Sequence, residues 1–258
     1  MRSNASLVSL IIPVYNEEAN LPMLFAEILG AMGQQHRPWQ VLFVNDGSTD
    51  ESLAIMRNLA KTDSHTRYIA LAENHGQSAA FAAGFRYARG DVFVMLDADL
   101  QNDPRDIPAM LAAYDKGYDM VIGWRANRKD TLVKRLASKF ANRVRNALSG
   151  ETVRDTGCSL KICNADMARK LPMYTGMHRF LPTLMKMRGA RVMEMAVHHR
   201  PRQYGKSKYG IWDRAFASLY DLLAVRWMQK RHIAYRLVES MIDDHAAAIP
   251  AQAERESR

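Results

Sequence analysis

Asp97 and Asp99 flank a single alanine at the end of the apolar run Asp91 to Leu96. Two carboxylates at this spacing can face one divalent cation, directly or through water. Hard oxygen donors suit Mg²⁺ or Mn²⁺, and such an ion can in turn hold a diphosphate. An Asp-x-Asp pair by itself is common in loops; its position gives this one weight. The run before it reads as a buried strand, and two carboxylates at its end without a cation would repel each other where water is scarce. Gln101 follows two residues later and adds a neutral carbonyl donor. Two further polar clusters interrupt apolar runs: Asn16-Glu17-Glu18 shortly after Val14, and Asn45-Asp46-Gly47-Ser48-Thr49-Asp50 after Val44. The second also reads as a turn with a helix cap.

The elements around these clusters are legible from pattern. Ser6 to Val14 is short, nearly continuously apolar and rich in β-branched residues, as in a strand covered on both faces. Asn16 to Met32 predicts a helix, with Asn16 as cap and Leu21, Leu24, Phe25, Ile28 and Leu29 on one face. Strands follow at Trp39 to Val44, Tyr68 to Leu71, Asp91 to Leu96 and Asp119 to Ile122. Helices fall between them at Asp50 to Lys61, Gly76 to Ala88 and Pro104 to Lys116; the small residues of Gly76 to Ala88 predict close packing. This alternation implies right-handed crossovers and an α/β, Rossmann-like, mostly parallel sheet flanked by helices. Ligands of such sheets bind beyond the carboxyl ends of the strands, where all three polar clusters fall.

The chain has 258 residues, 24% of them charged, and a net charge of +9. The charge is concentrated: Gly123 to Arg154 and Arg200 to Arg236 each carry nine Lys/Arg against two acids, leaving −5 on the remainder. Two basic blocks on a mildly acidic body suit a partner bearing phosphates. Nucleic acid is disfavoured, because no zinc-finger spacing or RNP-type aromatic motif is present. Cys158 and Cys163, with no neighbouring histidines, fit neither a zinc site nor a redox pair and read as reduced thiols of a cytosolic protein. No leader is evident, and no apolar run reaches the roughly 18 to 20 residues of a membrane span.

Pro13-Val14-Tyr15-Asn16-Glu17, Asn45-Asp46-Gly47-Ser48 and Asp97-Ala98-Asp99-Leu100-Gln101, in this order and spacing, resemble the signature of family 2 glycosyltransferases with the GT-A fold. Gly123-Trp124-Arg125, Asp155-Thr156-Gly157-Cys158 and Arg202-Gln203-Tyr204-Gly205-Lys206-Ser207-Lys208 narrow the resemblance to dolichol-phosphate mannose synthases and bacterial polyprenyl-phosphate relatives. The likeness covers roughly residues 6 to 228. It implies a UDP- or GDP-sugar donor, with Pro13, Tyr15, Glu17, Asp46 and Asp97 at the nucleotide, and Asp97, Asp99 and Gln101 holding Mg²⁺ or Mn²⁺. It implies Asp99, Asp155 and Arg125 at the transfer centre, and Arg202 and Lys208 on phosphates. The acceptor implied is a polyprenyl phosphate, already a nucleophile at neutral pH. The relatives invert configuration at the sugar carbon. A family 2 enzyme acting on a saccharide hydroxyl is the alternative; it needs a general base, a role Asp155 could fill.

Ile211 to Lys230 puts Trp212, Ala215, Phe216, Leu219, Leu222 and Leu223 on one helical face, with Arg226, Lys230 and Arg231 near its end. Such a helix can lie among the headgroups of an anionic bilayer; packing on the core, a homo-oligomer contact or a membrane partner protein are its other uses. The organisation expected is therefore a catalytic domain at 1–210, an amphipathic appendage at 211–241 and a disordered tail at 242–258. The location expected is the cytoplasmic face of the cell membrane.

Overall fold

The structure, a computed structural model, describes residues 6–125, 153–201 and 211–233, with backbone only for 211–218. The segment Arg202 to Gly210, most of the first basic block and the tail expected from 242 lie outside the described residues. Seven strands form one sheet: β1 (Val8–Val14), β2 (Trp39–Asp46), β3 (Thr66–Leu71), β4 (Val92–Met95), β5 (Met120–Arg125), β6 (Lys161–Asn164) and β7 (Val192–Val197). Their order is β3-β2-β1-β4-β6-β5-β7. β1 pairs in parallel with β2 and β4, β2 with β3, and β5 with β7, while β6 runs antiparallel between β4 and β5.

The apolar runs become strands buried on both sides because helices cover both faces. Along β1, Leu10, Ile12 and Val14 point to one face and Ile11 to the other; along β4, Val92 and Val94 oppose Phe93 and Met95. The first face is covered by α1 (Leu21–Met32), α2 (Ser52–Thr62) and α4 (Ile107–Tyr114). The second is covered by α3 (Gln77–Tyr87), α5 (Ala165–Arg169), α6 (Leu181–Met187) and, through Leu222 and Val225, α7 (Ile211–Arg231). Cys158 and Cys163 are buried free thiols; burial pushes the Cys163 thiol up to about 12.

Two expectations are corrected. The first helix begins at Leu21, not Asn16. Asn16 instead has a left-handed backbone (φ 55°), and its side chain bonds Thr49, so the loop is recruited by its neighbour before it can cap a helix. The apolar face read for residues 211–230 is split: Leu222 is buried, but Leu219 and Leu223 are about half exposed. The inward side of α7 is set by Leu222 and Val225, one helical turn apart, with Ala224 and Met228 packed partly against the same cluster.

The close packing predicted for α3 is present. A Cβ on Gly84 would come within 2.3 Å of Ile11 Cγ2, so the helix lies against β1 because nothing larger than glycine fits there. Gly84→Ala is expected to lower stability by about 1–3 kcal/mol through overpacking. In an Ile11→Ala background the same change should cost little. Denaturant unfolding of the two single variants and the double variant measures this coupling.

Candidate functional site

The three polar clusters converge at the carboxyl edge of the sheet, and their loops are tied together. The loop after β1 lies against the loop after β2: Asn16 N–H donates to Ser48 Oγ (3.0 Å), Glu17 N–H to Ser52 Oγ (2.9 Å), and Thr49 N–H to Asn16 Oδ1 (2.8 Å). Glu17 also accepts from Asn20 Nδ2 (2.6 Å), and Glu18 exchanges bonds with Asp50 and Glu51. These contacts place Tyr15 and Glu17, both half-buried, beside the end of β2, with Pro13 paired to Val44 in the sheet.

Asp46, at the end of β2, is buried and turned inward. Its carboxylate accepts from His75 N–H (2.8 Å), Gly76 N–H (2.9 Å) and Asn74 Nδ2 (3.1 Å). Gly47 must be glycine: its φ is +67°, and a Cβ would strike the Glu73–Asn74 backbone at 2.4 Å. The turn that begins α3 is thus seated on the Asp46-Gly47 step. That turn delivers Gln77, whose Nε2 donates to Asp97 Oδ1 at 2.6 Å.

Asp97 is half-buried just past β4, and Asp99 is buried, its Oδ1 accepting from Gln101 N–H at 3.2 Å. Between them and Gln101 the chain turns through Leu100, a buried leucine with φ 60°. Among the described residues, Asn16 and Leu100 are the two non-glycine positions with positive φ, and both sit in loops at this edge. Backbone of this kind costs on the order of 1–3 kcal/mol and persists where surrounding contacts impose it. The donor set of Asp97, Asp99 and the Gln101 carbonyl is all oxygen, which fits a hard divalent ion. The described residues hold no group of three or more His, Cys, Asp or Glu that could hold a metal ion by themselves.

Asp97 forms part of the wall of a cavity of about 300 Å³. Lys161 and Met95, partners across β4 and β6, line its floor. Gln77 and Phe81 of α3 stand on one side, and Thr156 and Ser159 on another. The turn at 177–181 closes it with His178 and Arg179. His178 Nδ1 lies 2.6 Å from Ser78 Oγ. Burial, with the charges of Arg179 and Lys161, pushes the His178 pKa down to about 3, so the ring is neutral and a weak base. Burial also pulls the Lys161 pKa below its ordinary value, against the opposing pull of Cys158, Asp97 and Asp155.

Arg125 and Asp155, both expected at the transfer centre, are found gripping each other. Arg125 Nε and Nη2 donate to the two Asp155 oxygens at 2.7 and 2.8 Å, and Arg125 N–H adds a third bond at 3.2 Å. Burial opposes the Arg125 charge, but the hydrogen bonds and charge of Asp155 outweigh it, and its pKa stands above the ordinary value. The pair adjoins the cavity through Gly157, where a Cβ would meet Arg125 Nη2 at 3.1 Å. Arg202 and Lys208 lie outside the described residues.

Sequence reading passed over Gln77, Ser78, Lys161, His178 and Arg179. Lys161 left a visible signal, a lone cation in the apolar run Leu160 to Cys163. His178 and Arg179 left none, because only the fold brings their turn to the sheet edge.

A mostly parallel sheet with one reversed strand and an Asp-x-Asp turn at its carboxyl edge is the arrangement of the GT-A fold. The solved structure of glucosyl-3-phosphoglycerate synthase from Mycobacterium tuberculosis, in complex with Mn²⁺, uridine diphosphate and phosphoglyceric acid, shares this fold. Its TM-score is 0.65 at 17% identity, over 87% of this chain and 78% of that one. The family model "Glycosyl transferase family 2" matches residues 9–171, and the chain belongs to that family. Dodecaprenyl-phosphate galacturonate synthase of Rhizobium johnstonii is 38% identical over 228 residues, 86% of this chain and 67% of the relative. Undecaprenyl-phosphate 4-deoxy-4-formamido-L-arabinose transferase of Salmonella paratyphi A is 37% identical over 217 residues, 84% of this chain and 66% of the relative. The chain thus spans about two thirds of the length of these relatives.

The neutral His178 has a consequence for stability. The unfolded chain takes up a proton on this ring below about pH 6.5, whereas the folded chain does not until about pH 3. Its contribution is therefore intact above pH 6.5 and shrinks as the pH falls through that window. The loss expected by pH 5 is on the order of 1–2 kcal/mol. Melting temperatures from pH 7.5 to 5 should fall for the native chain and fall less for His178→Asn.

Proposed function

We propose that this chain transfers a sugar from a nucleoside-diphosphate sugar, UDP- or GDP-linked, to a polyprenyl phosphate, with inversion, at the cytoplasmic face of the cell membrane. One observation carries the acceptor. The two relatives are named for different sugars, galacturonate and 4-deoxy-4-formamido-L-arabinose, yet both for a polyprenyl phosphate, so their common similarity to this chain follows the acceptor.

The geometry supports this reading. Asp97, Asp99 and Gln101 would hold Mg²⁺ or Mn²⁺, which when bound supplies charge to neutralise a departing diphosphate. Tyr15 and Glu17 are assigned to the nucleoside. Asp46, its carboxylate already engaged by three donors, acts by fixing the loop that carries Gln77. Asp155 holds Arg125 in a bidentate grip and so aims a cation at the cavity margin. Arg202 and Lys208 are assigned to the phosphates. A phosphate acceptor needs no strong base, only alignment with the sugar carbon and relief from anion repulsion. That suits a site in which Asp155 is ion-paired and His178 is weakly basic. Transfer to a saccharide hydroxyl, which wants a free base, is less well served.

The surface of α7 fits a membrane contact. Leu219, Tyr220, Leu223 and Trp227 form an exposed stripe, Tyr220 78% and Trp227 65% accessible, with Lys230 and Arg231 in the last turn. No described helix is long and apolar enough to cross a bilayer, so contact through α7 would be peripheral. Residues 1–210 would form the catalytic domain, with α7 docked on it.

Asp99→Asn should leave the melting temperature nearly unchanged and lower transfer from a nucleotide sugar to a polyprenyl phosphate by at least about 100-fold, as losses of transition-state charge stabilisation do. Full activity of this variant, or of the native chain in excess EDTA, removes the metal assignment. A second variant, Leu223→Ser with Trp227→Ser, should weaken co-sedimentation with anionic liposomes and transfer to a long polyprenyl phosphate. Transfer to a short, water-soluble prenyl phosphate should be spared. Equal loss on both acceptors would make α7 structural.

A further inference from the structure

Lys161 is 4% exposed and sits on the cavity floor. Among the described residues its ammonium makes one hydrogen bond, to the carbonyl of Cys158. An ammonium carries three donors, and a buried one is strongly destabilising unless acceptors or a counter-charge meet it. The nearby carboxylates have other commitments: Asp155 is gripped by Arg125, and Asp97, bonded to Gln77, is the proposed metal ligand. With an ion on Asp97, no carboxylate in the cavity wall would remain to balance Lys161. Arg179 adds a second cation to the same wall, its charge partly met by Asp221 of α7, and Thr156, Ser159 and the neutral His178 add only uncharged polar groups.

We infer that Lys161 is a specificity-determining residue whose ammonium, with Arg179 beside it, binds an oxyanion of a substrate inside the cavity. This rests on the transferase reading above. Two substrates could bring that group: a donor sugar bearing a carboxylate, or an acceptor bearing a phosphate. The first enters beyond the diphosphate that Asp97 and Asp99 would hold. The second would approach the sugar carbon from the side opposite the departing diphosphate, as inversion requires. A lysine ammonium is a compact point charge that serves either oxyanion, and an oxyanion beside Lys161 would favour the charged form that burial opposes. The apolar patches of Phe81, Met95 and Leu181 leave the rest of a sugar-sized ligand to van der Waals contact.

Lys161→Met keeps the length of the side chain and removes the charge. Calorimetry with Mn²⁺ first establishes whether the native chain prefers UDP-glucose or GDP-mannose; the hexose and hexuronate forms of that nucleotide sugar are then compared, followed by kinetics on a short-chain polyprenyl phosphate. If the sugar supplies the anion, Lys161→Met loses about tenfold or more in affinity for the hexuronate form and changes less than about twofold for the hexose form. If the acceptor supplies it, both donor affinities hold while KM for the prenyl phosphate rises by about tenfold or more with kcat little altered. Lys161→Arg should retain most of whichever preference is seen. Constants within about twofold of native throughout, or equal losses everywhere with a lower melting temperature, overturn the inference. Should Lys161→Met fail to fold, Lys161→Gln is carried through the same panel and read by the same outcomes. A native chain that binds neither nucleotide sugar overturns the transferase reading itself, and this inference with it.

Discussion

Asp46 is a buried carboxylate at the end of a central strand, and its charge is met by two backbone amides and one side-chain amide of the 74–76 turn. An ionised group so placed would be very costly if those donors moved away. The turn is therefore held, and with it the first residues of α3. Gln77 then reaches Asp97, so a bond made at β2 determines where the carboxylate after β4 can point. Gly84 completes the constraint from the other end by letting α3 lie directly on β1. The edge of the site is stiff because one helix is pinned at its start by charge and along its length by the absence of a side chain.

The alternation of strands and helices could be read from residues 6 to 122 because each central strand is covered twice and is almost wholly apolar before it ends, with Ser9 in β1 and Gln40 in β2 as the polar exceptions. For the same reason the polar clusters announced the working edge of the sheet. What could not be read were relations between distant segments. Asn16 looked like a cap because it precedes an apolar helical pattern, but Thr49, 33 residues away, competes for its side chain. Asp155 and Arg125 were each legible as charged residues near the chemistry; that they satisfy each other depends on β6 returning antiparallel beside β5. Which side of α7 meets the protein could not be read, because helical periodicity alone does not decide it when both sides carry leucine.

His178 and Lys161 show how the cavity differs from the loops around it. The loops are rich in hydrogen bonds between backbone and side chains, which fix position without leaving much unmet capacity. The cavity wall holds a neutral ring bonded to Ser78, a Ser159 hydroxyl bonded to Asn102, and Lys161, a buried amine with one hydrogen bond among the described residues. Well-tied loops beside an under-bonded buried cation suit a binding site: the first keep geometry, and the second gives a ligand its gain on entry.

The reversed strand β6 carries a consequence for how such a chain can change. β5 leaves the sheet at Arg125, and the chain returns to the same edge by Asp155, where the two residues clasp. With 29 residues of sequence between them, Arg125 at the end of β5 and Asp155 ahead of β6 are coupled into one mechanical unit. Whatever displaces one must displace the other, and the cavity wall at Thr156 and Gly157 is carried along with the pair.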